Sequence, residues 1–128
     1  MIVDSSAIIA IVLREPGWES LVTKLGAATT CGVGAPTLAE AGAVLTARVG
    51  RKALGLLSRL LQEAGLAVIP FTEDHWRVAV EAYARFGKSR HAASLNFGDC
   101  LTYAIARLAE RPLLFVGDDF AKTDLTPA

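Results

Sequence analysis

The feature that most constrains this chain is its opening run, Met1-Ile2-Val3-Asp4-Ser5-Ser6, followed by the apolar stretch Ala7-Ile8-Ile9-Ala10-Ile11-Val12-Leu13. An apolar segment with no polar residue before Asp4 describes a strand buried on both faces, the pattern of the centre of a parallel sheet. In open α/β sheets, groups at the carboxyl ends of such strands face the ligand crevice. Asp4 stands at such an end, so the other groups that arrive beside it decide the chemistry.

The rest of the chain alternates helix and strand. Ser5 and Ser6 can open a helix that ends at the Glu15-Pro16-Gly17 break. Trp18, Leu21, Val22 and Leu25 keep the spacing of a second helix, and Thr29 to Val33 is a short strand. Pro36 and Thr37 open a helix that runs to about Val49 and is stopped by Gly50. Arg51 to Ala64 is another, with Leu54, Leu57, Leu60 and Leu61 on one face and Gly65 as its C-cap. A strand over Leu66–Phe71 precedes a helix over Glu73–Phe86 that carries Trp76, Val80 and Tyr83. Trp18 and Trp76 lie on apolar helix faces and are expected in the core. Gly87 to Leu95 is a polar, basic loop; Asn96 opens a helix to about Glu110; and Leu113–Val116 is a strand that turns out through Gly117-Asp118-Asp119. The tail has room for one more short edge strand. The expectation is a single domain over residues 1–128. It is an α/β fold, a three-layer α/β/α sandwich around a mostly parallel sheet of about four or five strands.

Charge narrows the function. Lys plus Arg and Asp plus Glu are both 13, which excludes a strongly basic nucleic-acid binder and leaves only a local binding surface. Cys31 and Cys100 lie far apart with no CxxC or Cys/His spacing, as free thiols of a reducing compartment do. A basic leader is missing and Ala7–Leu13 is too short to span a bilayer, so the expected location is cytoplasmic, with no membrane partner.

Acidic residues then gather. Asp4 ends the first strand, Asp118 and Asp119 follow the last, and Glu40 and Asp99 fall in the first turns of the helices opened by Thr37 and Asn96. Helices in such a fold begin on the side where the strands end, so these acids face one rim. Carboxylates so grouped repel unless a cation neutralises them. Hard oxygen ligands without His or Cys favour Mg²⁺ or Mn²⁺, an ion that activates water and stabilises charge on a phosphoryl oxygen. The implied chemistry is phosphodiester hydrolysis. Each acid also has a structural role open to it. Thr37-Leu38-Ala39-Glu40 and Asn96-Phe97-Gly98-Asp99 fit capping boxes, Asp4 fits an N-cap, and Asp118-Asp119 a turn. Independent caps need not converge on one rim, which weighs for a shared site.

A second feature is Arg85-Phe86-Gly87-Lys88-Ser89-Arg90-His91, with no acid between Glu81 and Asp99. Beside an acidic metal site, Arg85, Lys88, Arg90 and His91 can grip phosphates, and Phe86 or His91 can stack on an unpaired base. A solvated loop is the plain alternative.

These pieces in this order resemble the PIN-domain ribonucleases, and more narrowly the VapC toxins of type II VapBC toxin–antitoxin modules. The resemblance rests on Ile2-Val3-Asp4-Ser5-Ser6-Ala7, the Glu40 helix, Gly87-Lys88-Ser89-Arg90-His91, Leu95-Asn96-Phe97-Gly98-Asp99-Cys100, and Pro112 to Phe120 with Thr123-Asp124 following. It implies a usually dimeric, Mg²⁺- or Mn²⁺-dependent endoribonuclease that cuts tRNA, rRNA or mRNA and so inhibits translation and growth. It also implies a VapB antitoxin that blocks the site. Asp4, Glu40 and Asp99 take the roles of core acids, with the Ser6 hydroxyl in support. Similar proteins vary at the position of Asp118 and keep an acid at that of Asp119, but loop lengths differ, so both remain candidates for the fourth acid. Ser5 departs from the Thr frequent in relatives. Alternatives are a non-catalytic PIN-like module that binds RNA or protein, and a housekeeping PIN nuclease. Haloacid-dehalogenase-like enzymes fit poorly, because Ser6 stands where they need a second Asp. A receiver domain has no room for its acidic pair.

Overall fold

Strand β1 (Ile2–Val3) is the centre of the molecule. The structure, a computed structural model, describes residues 1–128. After β1 come α1 (Ser5–Leu13), α2 (Trp18–Ala27), β2 (Cys31–Gly34), α3 (Ala35–Val49), α4 (Lys52–Ala64), β3 (Leu66–Ile69), α5 (Glu73–Phe86), α6 (Phe97–Ala109) and β4 (Leu113–Leu114). The sheet has four strands in the order β3-β2-β1-β4, and every pair is parallel. Ile2 pairs with Gly32 on one side and Leu113 on the other, and Val3 pairs with Leu114.

Alternation across the pleat explains the unbroken apolar run. Val3 and Leu114 pack with Ile8, Leu45 and Leu57 from α1, α3 and α4. Ile2 and Leu113 pack on the opposite side with Phe86, Cys100 and Ile105 from α5 and α6. A two-residue strand covered on both faces has no position for a polar side chain. The expected three-layer sandwich is the observed one. Its topology also sets the site: after β3 the chain crosses back to the far side of β1, so β1 and β4 flank the switch point, where open sheets leave a crevice.

Several elements differ from expectation for local reasons. Helix α3 starts at Ala35 with Gly34 as N-cap and Pro36 in its first turn, where a missing N–H costs nothing. Thr37 is therefore inside the helix, and its buried hydroxyl meets that of Thr102 on α6 at 2.8 Å. Glu40 falls in the second turn of α3, not the first, and the Thr37–Glu40 capping box does not form. Strand β4 stops at Leu114 because the next available N–H, on Val116, is taken by the Ser6 hydroxyl. Strand β3 stops before Pro70, which has no N–H to offer. The tail adds no full strand; a parallel bridge joins Leu113 to Pro127 after a short 3₁₀ turn over Phe120–Lys122.

Close approach needs glycine at Gly34. A Cβ there would sit 2.7 Å from Ile105 Cγ1, so α6 lies directly on the end of β2 only because that side chain is missing. Neither tryptophan joins the core as expected: Trp76 is about half exposed, and Trp18 is only half-buried, under the Arg14 guanidinium. Both cysteines are buried free thiols. No helix is long and apolar enough to cross a membrane.

Candidate active site at the ends of β1 and β4

Asp4 is the N-cap of α1 and is buried, at 3% exposure. Its Oδ2 accepts from the Ser6 N–H at 3.1 Å and from Ser6 Oγ at 2.6 Å. Ser6 Oγ in turn accepts from the Val116 N–H at 3.0 Å, which ties the end of β1 to the chain leaving β4. Asp4 Oδ1 is buried and has no hydrogen-bond partner. A buried carboxylate oxygen left bare costs free energy unless a cation or water meets it. The N-cap role uses one oxygen and leaves the other free.

Glu40 reaches the same place from α3. Ser5 Oγ donates to Glu40 Oε1 at 3.0 Å, so its carboxylate is held by a side chain at the start of α1 and caps nothing. Its other neighbour is Gly98, in the first turn of α6: a Cβ on Gly98 would overlap Glu40 Oε2 and stand 2.9 Å from Cδ. The missing side chain of Gly98 is the space the carboxylate occupies.

Asp99 does keep the structural role that its sequence allows. Asn96 Oδ1 accepts from the Asp99 N–H at 2.8 Å, and Asp99 Oδ2 accepts from the Asn96 N–H at 3.0 Å, a reciprocal capping box. The cap does not exhaust it. Burial pushes the Asp99 carboxyl up to about 6, against the lowering effect of the Asn96 N–H, and the charges of Asp4, Asp119 and Glu40 push the same way as burial. Those three carboxylates are thus its electrostatic neighbours. Asp118 and Asp119 are both exposed, but of the two only Asp119 is among the charges that act on Asp99.

These acids do not close into a ready-made cage of three metal ligands. Their repulsion opposes such closure without a cation, and a Mg²⁺-type ion takes only one or two carboxylates and keeps several waters. An all-oxygen donor set with one bare buried oxygen at Asp4 fits such an ion.

Residues 1–125 match the PIN domain family. The chain belongs to that family. The VapC36 ribonuclease of Mycobacterium tuberculosis is 49% identical over 126 residues, which are 98% of this chain and 91% of that protein. VapC42 of the same species is 42% identical over 129 residues, 100% and 98% of the two chains. In fold, this PIN domain superposes on M. tuberculosis VapC20, described as a toxin that cleaves the sarcin-ricin loop. The TM-score is 0.81 at 17% identity, covering 99% of this chain and 97% of that one. A toxin–antitoxin complex from Klebsiella pneumoniae superposes with a TM-score of 0.70 at 18% identity, over 96% and 92%.

The four basic candidates of this PIN domain do not stay together. Lys88 and Arg90 line a groove between α5 and α6, and neither pairs with an acid. Arg85 lines a different cleft, where its guanidinium is 3.3 Å from Asp124 and lies over the Phe86 ring. His91 packs edge-on against Phe86, and its Nδ1 accepts from the Ala93 N–H at 2.9 Å, which folds the loop on itself. Tyr103, whose hydroxyl donates to Asp124 at 2.6 Å, completes the Arg85 cluster; burial and that bond push it up to about 12.

Sequence reasoning passed over Ser5 and Gly98 as site residues. A signal for Gly98 was there, since glycine one position before an acid inside a helix costs about 1 kcal/mol against alanine and needs a reason.

Two predictions follow from this geometry. Because the folded chain holds the Asp99 proton more tightly than the unfolded chain, the contribution of Asp99 to the stability of metal-free protein is lost as pH rises from about 4 through about 6. In EDTA, the gap in Tm between Asp99→Asn and wild type should widen in favour of the variant from about pH 5 to about pH 7.5; a constant gap would contradict the environment assigned to Asp99. Gly98→Ala should keep or slightly raise Tm, because alanine favours the helix and the Glu40 carboxylate is a flexible end that can swing aside. Cleavage of RNA should nevertheless fall about 10- to 100-fold through the displaced Glu40. Unchanged cleavage would mean that the position of Glu40 is immaterial.

Proposed function

We propose that this PIN domain, acting as one unit over residues 1–128, is a metal-dependent endoribonuclease and the toxin of a VapBC-type module. The observation that carries the reading is the buried, unpartnered Oδ1 of Asp4 at the switch point, beside Asp99, on which the charges of Asp4, Asp119 and Glu40 all act. Relatives at 42–49% identity over nearly the whole chain that bear the name VapC ribonuclease support it.

Asp4, Asp99 and Asp119 would hold Mg²⁺ or Mn²⁺, with Glu40 as a further ligand or as the group that orients the attacking water. Bound there, the ion supplies an activated water and charge stabilisation at the scissile phosphate. The chain's own residues perform the positioning. Ser6 fixes Asp4 by holding Oδ2, so that Oδ1 keeps one direction. Ser5 and the open space at Gly98 fix Glu40. The Asn96 cap fixes Asp99 at the start of α6. Of the two acids after β4, we assign Asp119 to the site and Asp118 to the solvated turn. Lys88 and Arg90 would meet the RNA backbone, while Arg85 and His91 serve the fold of the loop and tail. The partners in this reading are a VapB-type antitoxin, RNA and a second copy of the chain, in the cytoplasm, where cleavage would halt translation and growth. The Klebsiella toxin–antitoxin complex of the same fold supports the antitoxin.

The test is incubation of purified, antitoxin-free protein with total cellular RNA in Mg²⁺, in Mn²⁺ and in EDTA. Discrete fragments are expected with either metal and none in EDTA. Asp4→Asn should reduce cleavage by about 100- to 1000-fold, as loss of a group that stabilises the transition state does, with the circular dichroism spectrum unchanged. Full activity of that variant, or none from folded wild type, would overturn the assignment.

A further inference from the structure

The groove between α5 and α6 is the surface of this molecule that the acidic site does not explain. Trp76, Val80 and Tyr83 project from α5, and Phe97 and Leu101 from α6, around a space of about 720 Å³. Phe97 is 73% exposed and Val80 59%, and Trp76 and Tyr83 are each more than a third exposed. Lys88 and Arg90 come in from the basic loop and have no acidic partner. Asn96 lines the groove and also caps the helix that carries Asp99, so the groove begins where the acidic rim ends.

That combination has a chemical meaning. Exposed rings on a solvated surface mark a docking site. Flat rings flanked by free cations suit a ligand that is flat and apolar on its faces and anionic along its length, as single-stranded nucleic acid is. The neighbouring cleft provides a contrast, because its Arg85 and Arg107 are both turned to Asp124 and their charge is already answered. Only the α5–α6 groove offers aromatic faces together with unanswered positive charge beside the carboxylates.

We propose that the α5–α6 groove is a stacking subsite for an unpaired base of the RNA next to the scissile phosphate, with Tyr83 and Phe97 as its platforms and Lys88 and Arg90 on the adjoining phosphates. This rests on the ribonuclease reading above. The RNA enters as a single strand; a paired base has no free face to offer the rings.

The experiment uses two fluorescent probes of equal length, a short single-stranded RNA and a ribose-phosphate chain without bases. Both are titrated in EDTA, so that binding is read without cleavage. Tyr83→Ala and Phe97→Ala should each weaken binding of the RNA by about 5- to 150-fold, the range that loss of one stacked base gives, and leave the baseless chain unaffected. Lys88→Ala with Arg90→Ala should weaken both probes and flatten the log–log salt slope by about 1.4. Light scattering is recorded for each variant. If the aromatic variants bind RNA as wild type does while wild type cuts RNA with Mg²⁺, the subsite fails and the ribonuclease stands. If they bind RNA normally but change a dimer into a monomer, the face is an interface between copies and the proposal is wrong. Failure of folded wild type both to bind RNA and to cut it removes the ribonuclease reading, and the subsite with it.

Discussion

A single bare oxygen, Oδ1 of Asp4, sits buried where β1 ends and the sheet changes direction. Its partner oxygen is held by both donors of Ser6, and Ser6 is itself anchored across the switch point by the Val116 N–H. The central strand cannot slip without breaking this link, because a shift of one residue would turn Ile2 and Val3 to the wrong core halves. An inner strand of the sheet thus ends on the one buried side-chain oxygen left without a partner. A buried carboxylate oxygen left bare in this way is costly until a cation or a water meets it.

The other acids are delivered by helices whose starts are pinned to the same end. Gly34 and the Thr37–Thr102 hydroxyl pair bring α3 and α6 against each other and against β2. That contact aligns Glu40 with Gly98 and sets Asp99 one residue further on. Burial and neighbouring charge then raise Asp99 towards neutrality, so the metal-free site relieves part of its repulsion by holding a proton. A cation held by these carboxylates would compete with that proton.

Much of this was legible in the sequence. The run Met1–Val3 announced a central parallel strand, because only a strand covered on both faces lacks a polar position, and β1 has neighbours on both sides. Punctuation by Gly17, Gly50, Gly65 and Asn96 marked helix ends closely. What was not legible depended on contacts between distant residues. The Thr37-Leu38-Ala39-Glu40 string satisfies the local rule for a capping box, yet Gly34 and Pro36 start the helix earlier and free Glu40 for Ser5. The resemblance leaned towards Asp119, but variable loop length left Asp118 open beside it; the fold of the turn brings the charge of Asp119 to bear on Asp99. The basic run reads as one patch, but tertiary partners divide it, with Arg85 drawn to Asp124 and His91 to Phe86. Trp76 follows helical spacing like a core residue, and periodicity alone cannot say whether an element will arrive to cover it.

The central claim is that Asp4 and its neighbours form an incomplete cation site. Calorimetric titration of Mn²⁺ into metal-free protein near neutral pH tests it without reference to any RNA. The account predicts saturable binding by wild type, with more proton release as the pH is lowered towards about 6, where Asp99 is partly protonated. It also predicts loss of that binding in folded Asp4→Asn. Equal binding by Asp4→Asn, or none by folded wild type, would contradict it.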